Sequence, residues 1–247
     1  MPVSTETRWR NRMYAAYVSS GQARSSASTA EKIFADRSHY INQIIHRYLP
    51  SDRDTRILDL GCGHGAFVYF LRQNGYTSVI GVDVSKEQVD LASRLGIAAI
   101  TQETLLECLS TRATGSVGCI LMIDILEHLT RSEAFAVIEQ VHRVLKNGAK
   151  CILHVPNAEG IFGMRVRYGD ITHEVSYTQG SASQLLTTVG FKKICCYEDK
   201  PIPHGIFSLF RRIIWDLGTA WHRLLLFAET GSRGAILSQN LLVVAHK

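Results

Sequence analysis

Residues 57–67 read Ile57-Leu58-Asp59-Leu60-Gly61-Cys62-Gly63-His64-Gly65-Ala66-Phe67, and this stretch decides the fold. Ile57, Leu58 and Leu60, with β-branched Thr55 just before them, form an apolar run that turn residues stop at once. That is the pattern of a buried parallel strand. Glycine at 61, 63 and 65 permits positive φ and lets a ligand approach the backbone where a Cβ would clash. The helix expected over 66–74 then points its free N–H groups at that ligand. A dinucleotide fold spells this turn Gly-x-Gly-x-x-Gly around a pyrophosphate. Here the third glycine comes one residue early, and the strand carries Asp59. A carboxylate there would repel a diphosphate and suit a ligand bearing an ammonium group. Ser78-Val79-Ile80-Gly81-Val82-Asp83 reads as the next strand, ending in an acid 18 residues after Gly65. An acid at this place accepts hydrogen bonds from ribose hydroxyls.

Together, Asp59-Leu-Gly-Cys-Gly-His-Gly65 and Asp83 resemble motifs I and II of the class I S-adenosylmethionine (SAM)-dependent methyltransferases. The resemblance implies a Rossmann-like α/β fold: a seven-stranded, mainly parallel sheet of order 3-2-1-4-5-7-6, with helices on both faces and the last strand antiparallel. It implies SAM as cofactor, held by Asp59, Gly61, Cys62, Gly63, Gly65, Asp83 and Val84. It also places Gln102 or Glu103 at the adenine, although an acid there equally suits a helix N-terminus. Asp124-Ile125-Leu-Glu127-His128-Leu, after an apolar run over 117–123, resembles motif IV and the residues behind it, which brings Asp124 and Ile125 to the cofactor. Val141-His-Arg-Val-Leu-Lys-Asn-Gly148 is similar to a phrase typical of the same family.

The chain has 247 residues, 46% hydrophobic and 20% charged. This fits one methyltransferase domain over 1–247, with an N-terminal helical cap segment over 1–49 and an amphipathic helical insertion over 201–237. The formal net charge of +5 is mildly basic. No basic patch is interleaved with aromatics, so no nucleic-acid partner is expected. None of the six cysteines forms a Cys-x-x-Cys pair, and no apolar stretch follows the N-terminal charges. Both features point to a cytoplasmic protein. No apolar run reaches the about 18 residues of a membrane span.

Residues 1–26 are polar and basic, with Arg8, Arg10, Arg12 and Arg24. Within them, Met13-Tyr14-Ala-Ala-Tyr17-Val-Ser-Ser20 resembles a segment that opens several small-molecule and polysaccharide methyltransferases. That implies substrate contacts for Tyr14 and Tyr17; the plainer reading packs both on the sheet edge. Helical spacing covers 27–49, 84–95 with Ser85 as N-cap, 132–145, and 181–189 with Ser181 and Gln184 as a capping box. Strands are expected over 97–100, 151–155, 193–197 and 239–245. The connection 156–180 is long enough to be functional. Between the last two strands, Ile206, Leu209, Phe210, Ile213, Leu217, Ala220, Trp221, Leu224 and Phe227 share one helical face. Arg211, Arg212, Asp216 and Arg223 occupy the other, along with Trp215 and Leu226. Such a helix over 204–227 can cap the site, form a homodimer or lie peripherally on the inner face of a membrane.

Methyl transfer from a sulfonium is an in-line displacement, so the protein must hold the acceptor in position. An oxygen acceptor must also lose its proton to a histidine or carboxylate. Two stretches offer such groups: Asp124, Glu127 and His128, and Arg165-Val-Arg-Tyr168-Gly-Asp170-Ile-Thr-His173-Glu174. The second resembles a phrase in methyltransferases encoded with O-antigen and capsule biosynthesis. The resemblance implies acceptor binding and deprotonation by Tyr168, Asp170 and His173; from the residues themselves, Arg165 is a further acceptor-binding candidate and His128 a further catalytic one. The expected activity is O-methylation of a sugar hydroxyl on a glycan or lipid-linked glycan precursor. The alternatives are a quinone or other small aromatic acceptor, or a non-catalytic SAM-binding scaffold. Asp124, Glu127, His128 and His173 also match the ligand types of a divalent metal. The pattern is similar to one in ubiquinone-pathway and small-RNA methyltransferases, where the first position is usually the longer Glu. The expectation is a reaction without a metal.

Overall fold

The computed structural model describes residues 5–19 and 29–247. Arg24, the Arg8 side chain, Ser20 and the first residues of the helix expected from 27 lie outside the described residues. Seven strands form one sheet: β1 (Ile57–Leu60), β2 (Val79–Asp83), β3 (Ile100–Gln102), β4 (Val117–Ile123), β5 (Leu145–Pro156), β6 (Lys193–Glu198) and β7 (Asn240–His246). Their order is β3-β2-β1-β4-β5-β7-β6, as expected. β7 runs antiparallel to both β5 and β6. Asp59 pairs with Gly81 on one side and Leu121 on the other. The register therefore ends β1, β2 and β4 side by side, and ligands of open α/β sheets bind in the crevice beyond such ends.

Alternating side chains feed a core on each face of the sheet. Leu58, Leu60, Ile120 and Met122 pack beneath α7 (Arg131–Val144), with Val137, Ile138 and Val141 buried against them. Ile57, Cys119 and Leu121 face α3 (Ser38–Tyr48) and α4 (Ala66–Gln73), through Ile41, Ile44, Ile45, Val68 and Leu71. α5 (Lys86–Arg94) and α6 (Leu105–Ser110) flank β2 and β3, and α1 (Thr5–Ala15) is tied to α7 by Arg10 and Glu133, 2.8 Å apart. α6 and α7 begin in capping boxes, Thr104 with Glu107 and Thr130 with Glu133. All six cysteines are free.

Several boundaries differ from the expectations. The 27–49 helix divides into α2 (Ala30–Phe34), a 3-10 turn over Ala35–Arg37, and α3. The Ser38 hydroxyl donates to Ala35 O at 2.7 Å and closes that tighter turn. The third strand lies later than 97–100, because Ala99 takes φ 58 and Ile100 is the first residue to pair with β2. β5 starts at Leu145, directly behind α7, well before residue 151. α9 (Gln179–Val189) begins one turn earlier than the expected Ser181/Gln184 box. Thr178 Oγ1 accepts from Ser181 N at 3.0 Å while Ser181 Oγ accepts from Thr178 N at 2.9 Å, so the cap is Thr178. The 156–180 connection carries the short α8 (Gly163–Arg167). It is tied down by buried Asn157, whose amide donates to Ile236 O and Ser238 O.

The insertion forms α10 (Ile206–Thr230). It turns its polar side to the protein and its apolar side outward. Ser208 and Thr219 are its buried residues. Arg223 reaches Glu198 on β6 at 2.6 Å, Arg212 meets Asp216 at 2.7 Å, and Lys200 meets Asp216 at 3.5 Å. Eleven large apolar side chains of α10 are exposed, with Ile206 at 86% and Phe207 at 87%. The helix is anchored by ion pairs where a packed cap would be anchored by its apolar stripe.

Candidate active site

A cavity of about 740 Å³ opens at the C-terminal ends of β1, β2 and β4. Its wall contains Asp59, Gly61, Cys62, Gly63, Asp83, Val84, Asp124, Ile125 and His128, together with Tyr14 and Tyr17. Gly61, Gly63 and Gly65 all take positive φ, at 71°, 55° and 89°. A Cβ on Gly61 would sit 1.9 Å from Ile125 Cδ1, so Ile125 would have to move to admit one, and the positive φ would strain it as well. A Cβ on Gly63 would meet nothing nearer than Gln88 at 3.8 Å, so its absence leaves open space in the cavity. Gly65 is the N-cap of α4.

The acids of this cavity are set up differently. Asp83 accepts from Gly63 N and Ser85 N, both at 2.8 Å, which fixes its carboxylate at the end of β2. Asp59 is 2% exposed, and its Oδ2 has no hydrogen-bond partner among the described residues. Burial, and then the neighbouring Asp83, push the Asp59 carboxyl up to about 7. A buried oxygen left without a donor calls for one from a ligand, best a charged one. An ammonium group and a ribose diol are what these two acids can hold, so the residues present fit SAM.

Gln102 and Glu103, expected at the adenine, are not among the described residues lining the cavity. Gln102 Nε2 donates to Val84 O at 3.3 Å, and Thr104, Leu105 and Leu106 occupy that wall. Arg165 and Tyr168 do not line it either; Tyr168 is 71% exposed. The wall also holds Phe34 and Gln88, which the motifs do not mark, beside His64 of the glycine turn. His64 Nδ1 and Gln88 Oε1 meet at 2.9 Å, and Phe34 stacks on the His64 ring at 5.2 Å. Gln88 is a buried polar residue on the inward face of α5 beside Leu91 and Ala92, a signal the helical periodicity contained.

A polar chain links Tyr17 and His128, two residues of the cavity wall. Tyr17 donates to Asp170 Oδ2 at 3.1 Å. Thr172 gives both its N–H, at 2.8 Å, and its hydroxyl, at 2.6 Å, to Asp170 Oδ1. The Thr172 proton is thus spent, and the 2.8 Å bond between Thr172 Oγ1 and His128 Nδ1 must have the histidine as donor. His128 Nε2 is left with its lone pair. His173 Nδ1 donates to Val166 O at 3.0 Å, so in the neutral imidazole its Nε2 is an acceptor. The two rings stand edge to face at 4.6 Å. Burial, and then His173, hold His128 down to about 4, which makes it neutral at pH 7.

Glu127 is 1% exposed and its Oε2 has no hydrogen-bond partner among the described residues. Burial, then Asp124, raise it well above the carboxylate range. Ligand atoms of Glu127, His128 and His173 all lie within 4.8 Å of one another, the spacing of a three-ligand cation site. Asp124 does not belong to that group. It directly follows β4 with φ 56 and bonds His154 Nδ1 at 2.5 Å, while His154 Nε2 faces Asp199 at 3.3 Å. Burial would lower His154, but two carboxylates, Asp124 first, raise it to about 10. His154 is therefore an imidazolium donating at both nitrogens, and its charge outweighs burial to keep Asp124 below its usual range. The sequence reading missed His154.

The profile of a family described as "Methyltransferase domain" matches residues 33–195. No curated protein sequence matches the chain. Among solved structures, the fold is similar to a SAM-dependent methyltransferase from Archaeoglobus fulgidus at 19% identity and TM-score 0.66, over 94% of this chain and 99% of the other. It is similar to a SAM-dependent methyltransferase from Thermotoga maritima at 14% identity and TM-score 0.64, over 96% and 99%. It is also similar to phosphoethanolamine N-methyltransferase 2 of Haemonchus contortus in complex with SAM, at 16% identity and TM-score 0.62, over 95% of this chain and 60% of that one. With the glycine cradle, the two acids and two thirds of its length matched by the family profile, the chain belongs to the methyltransferase-domain family.

Proposed function

We propose that this SAM-dependent methyltransferase methylates oxygen, on a sugar hydroxyl of a surface-glycan precursor of the O-antigen or capsule kind. SAM supplies an electrophilic methyl group, and the chain's own residues do the rest. The observation that carries the reading is the Tyr17–Asp170–Thr172–His128 chain, which leaves an imidazole lone pair beside the cavity. A hydroxyl acceptor needs such a group for its proton, whereas an amine that is already neutral does not. The similarity of Arg165-Val-Arg-Tyr168-Gly-Asp170-Ile-Thr-His173-Glu174 to capsule methyltransferases supports a sugar. In this reading Asp59 and Asp83 hold the cofactor, Tyr14 and Tyr17 close over the acceptor, and His128 and His173 receive its proton. Arg165 and Tyr168 meet the rest of the glycan, outside the cavity.

The Glu127, His128 and His173 cluster favours a second reading, a cation-assisted O-methyltransferase for a quinone or other small aromatic. There the same two lone pairs would bind a divalent cation, and the cation would lower the pKa of the acceptor hydroxyl. One experiment separates the two: transfer of labelled methyl from SAM into a cell extract, with and without EDTA, split into glycolipid, quinone and RNA fractions. Label in glycolipid that survives EDTA supports the sugar reading. Label in the quinone fraction that EDTA abolishes supports the second. Label in RNA refutes both.

A further inference from the structure

We propose that the outward face of α10 is a docking surface for an anionic phospholipid membrane, on which the enzyme lies without crossing it. No helix of the described residues is long and apolar enough to span a bilayer. Yet α10 exposes Phe207, Phe210, Ile213, Leu217, Trp221 and Leu224 along its length. At 3.6 residues per turn, the exposed apolar arc, from Leu209 and Phe227 at one edge to Phe207 and Leu225 at the other, covers roughly 160° of the helix. A second copy pairing helix to helix buries a narrower seam and leaves both edges in water. A lipid surface takes the whole arc at once, and its width, aromatic content and basic flank are those of an interfacial helix.

Charge selects the kind of lipid. Arg212 and Arg223 are paired with Asp216 and Glu198, and both lie on the side toward the protein. Arg211 at the rim and Arg233 just beyond the helix have no acidic partner among the described residues. Arg233 sits over the Phe227 ring at 5.5 Å, which keeps a cation at the margin of the apolar face. Such margins attract anionic headgroups. A second exposed apolar segment, with Phe162 at 55%, Met164 at 55% and Ile171 at 75%, adjoins the same region. Ile161 N donates to Leu237 O at 3.0 Å, and Leu237 N donates at 2.9 Å to Glu198, the carboxylate that holds Arg223 of α10. This second segment carries Arg165 and leads into Asp170 and His173. These hydrogen bonds tie α10 to the start of the chain segment that leads to the proposed acceptor site.

The test is co-sedimentation of the full chain with two kinds of vesicle: phosphatidylcholine alone, and equal parts phosphatidylcholine and phosphatidylglycerol. Neither contains an acceptor, so the result stands or falls apart from the sugar reading. The parent is expected on the anionic vesicles, with a blue shift in tryptophan fluorescence and reduced binding in high salt. Phe207→Ser with Phe210→Ser should lower partitioning about tenfold or more, and Arg211→Glu with Arg233→Glu should do so only at low salt. SAM affinity by calorimetry should be unchanged in all variants, because none of these side chains lines the cavity. Failure of the parent to bind anionic vesicles overturns the proposal. So does light scattering that finds a dimer dispersed by Phe210→Ser, which would make the occupant a second copy.

Discussion

Asp59 offers a sharp test, because its carboxyl is buried with one oxygen unbonded and is pushed up to about 7. In an unfolded chain the same group titrates near about 4. A carboxyl whose folded pKa is raised binds more protons in the native state than in the unfolded one, so stability must fall as pH rises between the two values. Integrated from pH 5 to pH 8, a displacement of this size removes about 2 to 3 kcal/mol from the ligand-free protein. Asp59→Asn abolishes that titration while keeping the side chain's size. Urea denaturation of parent and Asp59→Asn without SAM should show the variant gaining on the parent by that amount between pH 5 and pH 8, then levelling above pH 7. Saturating SAM should reverse the ranking at pH 8, since the cofactor's ammonium group gives the carboxylate a partner and Asn cannot neutralise it. Calorimetry should show SAM affinity of the parent falling by up to about tenfold per pH unit as pH drops below 7. A stability difference independent of pH, or SAM affinity equal in parent and variant at pH 8, refutes the assignment of Asp59 as a charge held ready for a cation.

Asp83→Ala removes the acceptor of two backbone N–H groups and the candidate partner of the ribose hydroxyls; SAM affinity should fall by about 2 kcal/mol in calorimetry, and an unchanged value would remove Asp83 from the cofactor site. His173→Ala should leave SAM binding intact and lower turnover about 10²-fold, measured on whichever acceptor fraction takes label. Turnover equal to the parent's would exclude it from proton transfer and from cation binding alike. Glu198→Gln weakens the bond that holds α10 through Arg223; limited proteolysis should cut the 199–205 and 231–235 joints faster, and an unchanged digestion rate would show that the anchor lies elsewhere.

The cofactor half of the site was legible because each of its parts has a local cause. An apolar run, glycines at alternate positions and an acid at the end of the next strand are all written within 27 residues, and a parallel sheet forces their ends together. The order of the strands followed from the same resemblance. His154 was not legible. In the sequence it is a polar interruption in a strand, and it meets Asp124 only because β4 and β5 pair Ile123 with His154 and bring the next residue within reach. Register between strands some 30 residues apart in the chain is set by the packing of α7 between them, which no local pattern states. The same holds for Asp124 itself, which leaves the cation-like group of Glu127, His128 and His173 because a buried imidazolium takes its carboxylate.

The orientation of α10 is the most instructive failure of local pattern. Periodicity identified most of the apolar face, leaving out Phe207, Ile214 and Leu225 at its edge, and could not say which way it points, because amphipathicity fixes only the angle between two faces. Direction is set by what the rest of the chain offers. Here it offers Glu198, 10% exposed in its side chain, for Arg223, and Lys200 for Asp216, and these acids and bases lie outside the helix. Removing an ion pair from water costs more than a surface pair returns unless geometry is good, and the Arg223–Glu198 contact is two-pronged at 2.6 and 2.8 Å. Once that side faces the protein, eleven large apolar side chains must face away from it. In water alone the arrangement would give up the burial energy of the whole stripe, at about 25 cal/mol per Å² of apolar surface. A helix that keeps its polar face for its own protein is therefore built for a surface that is not water.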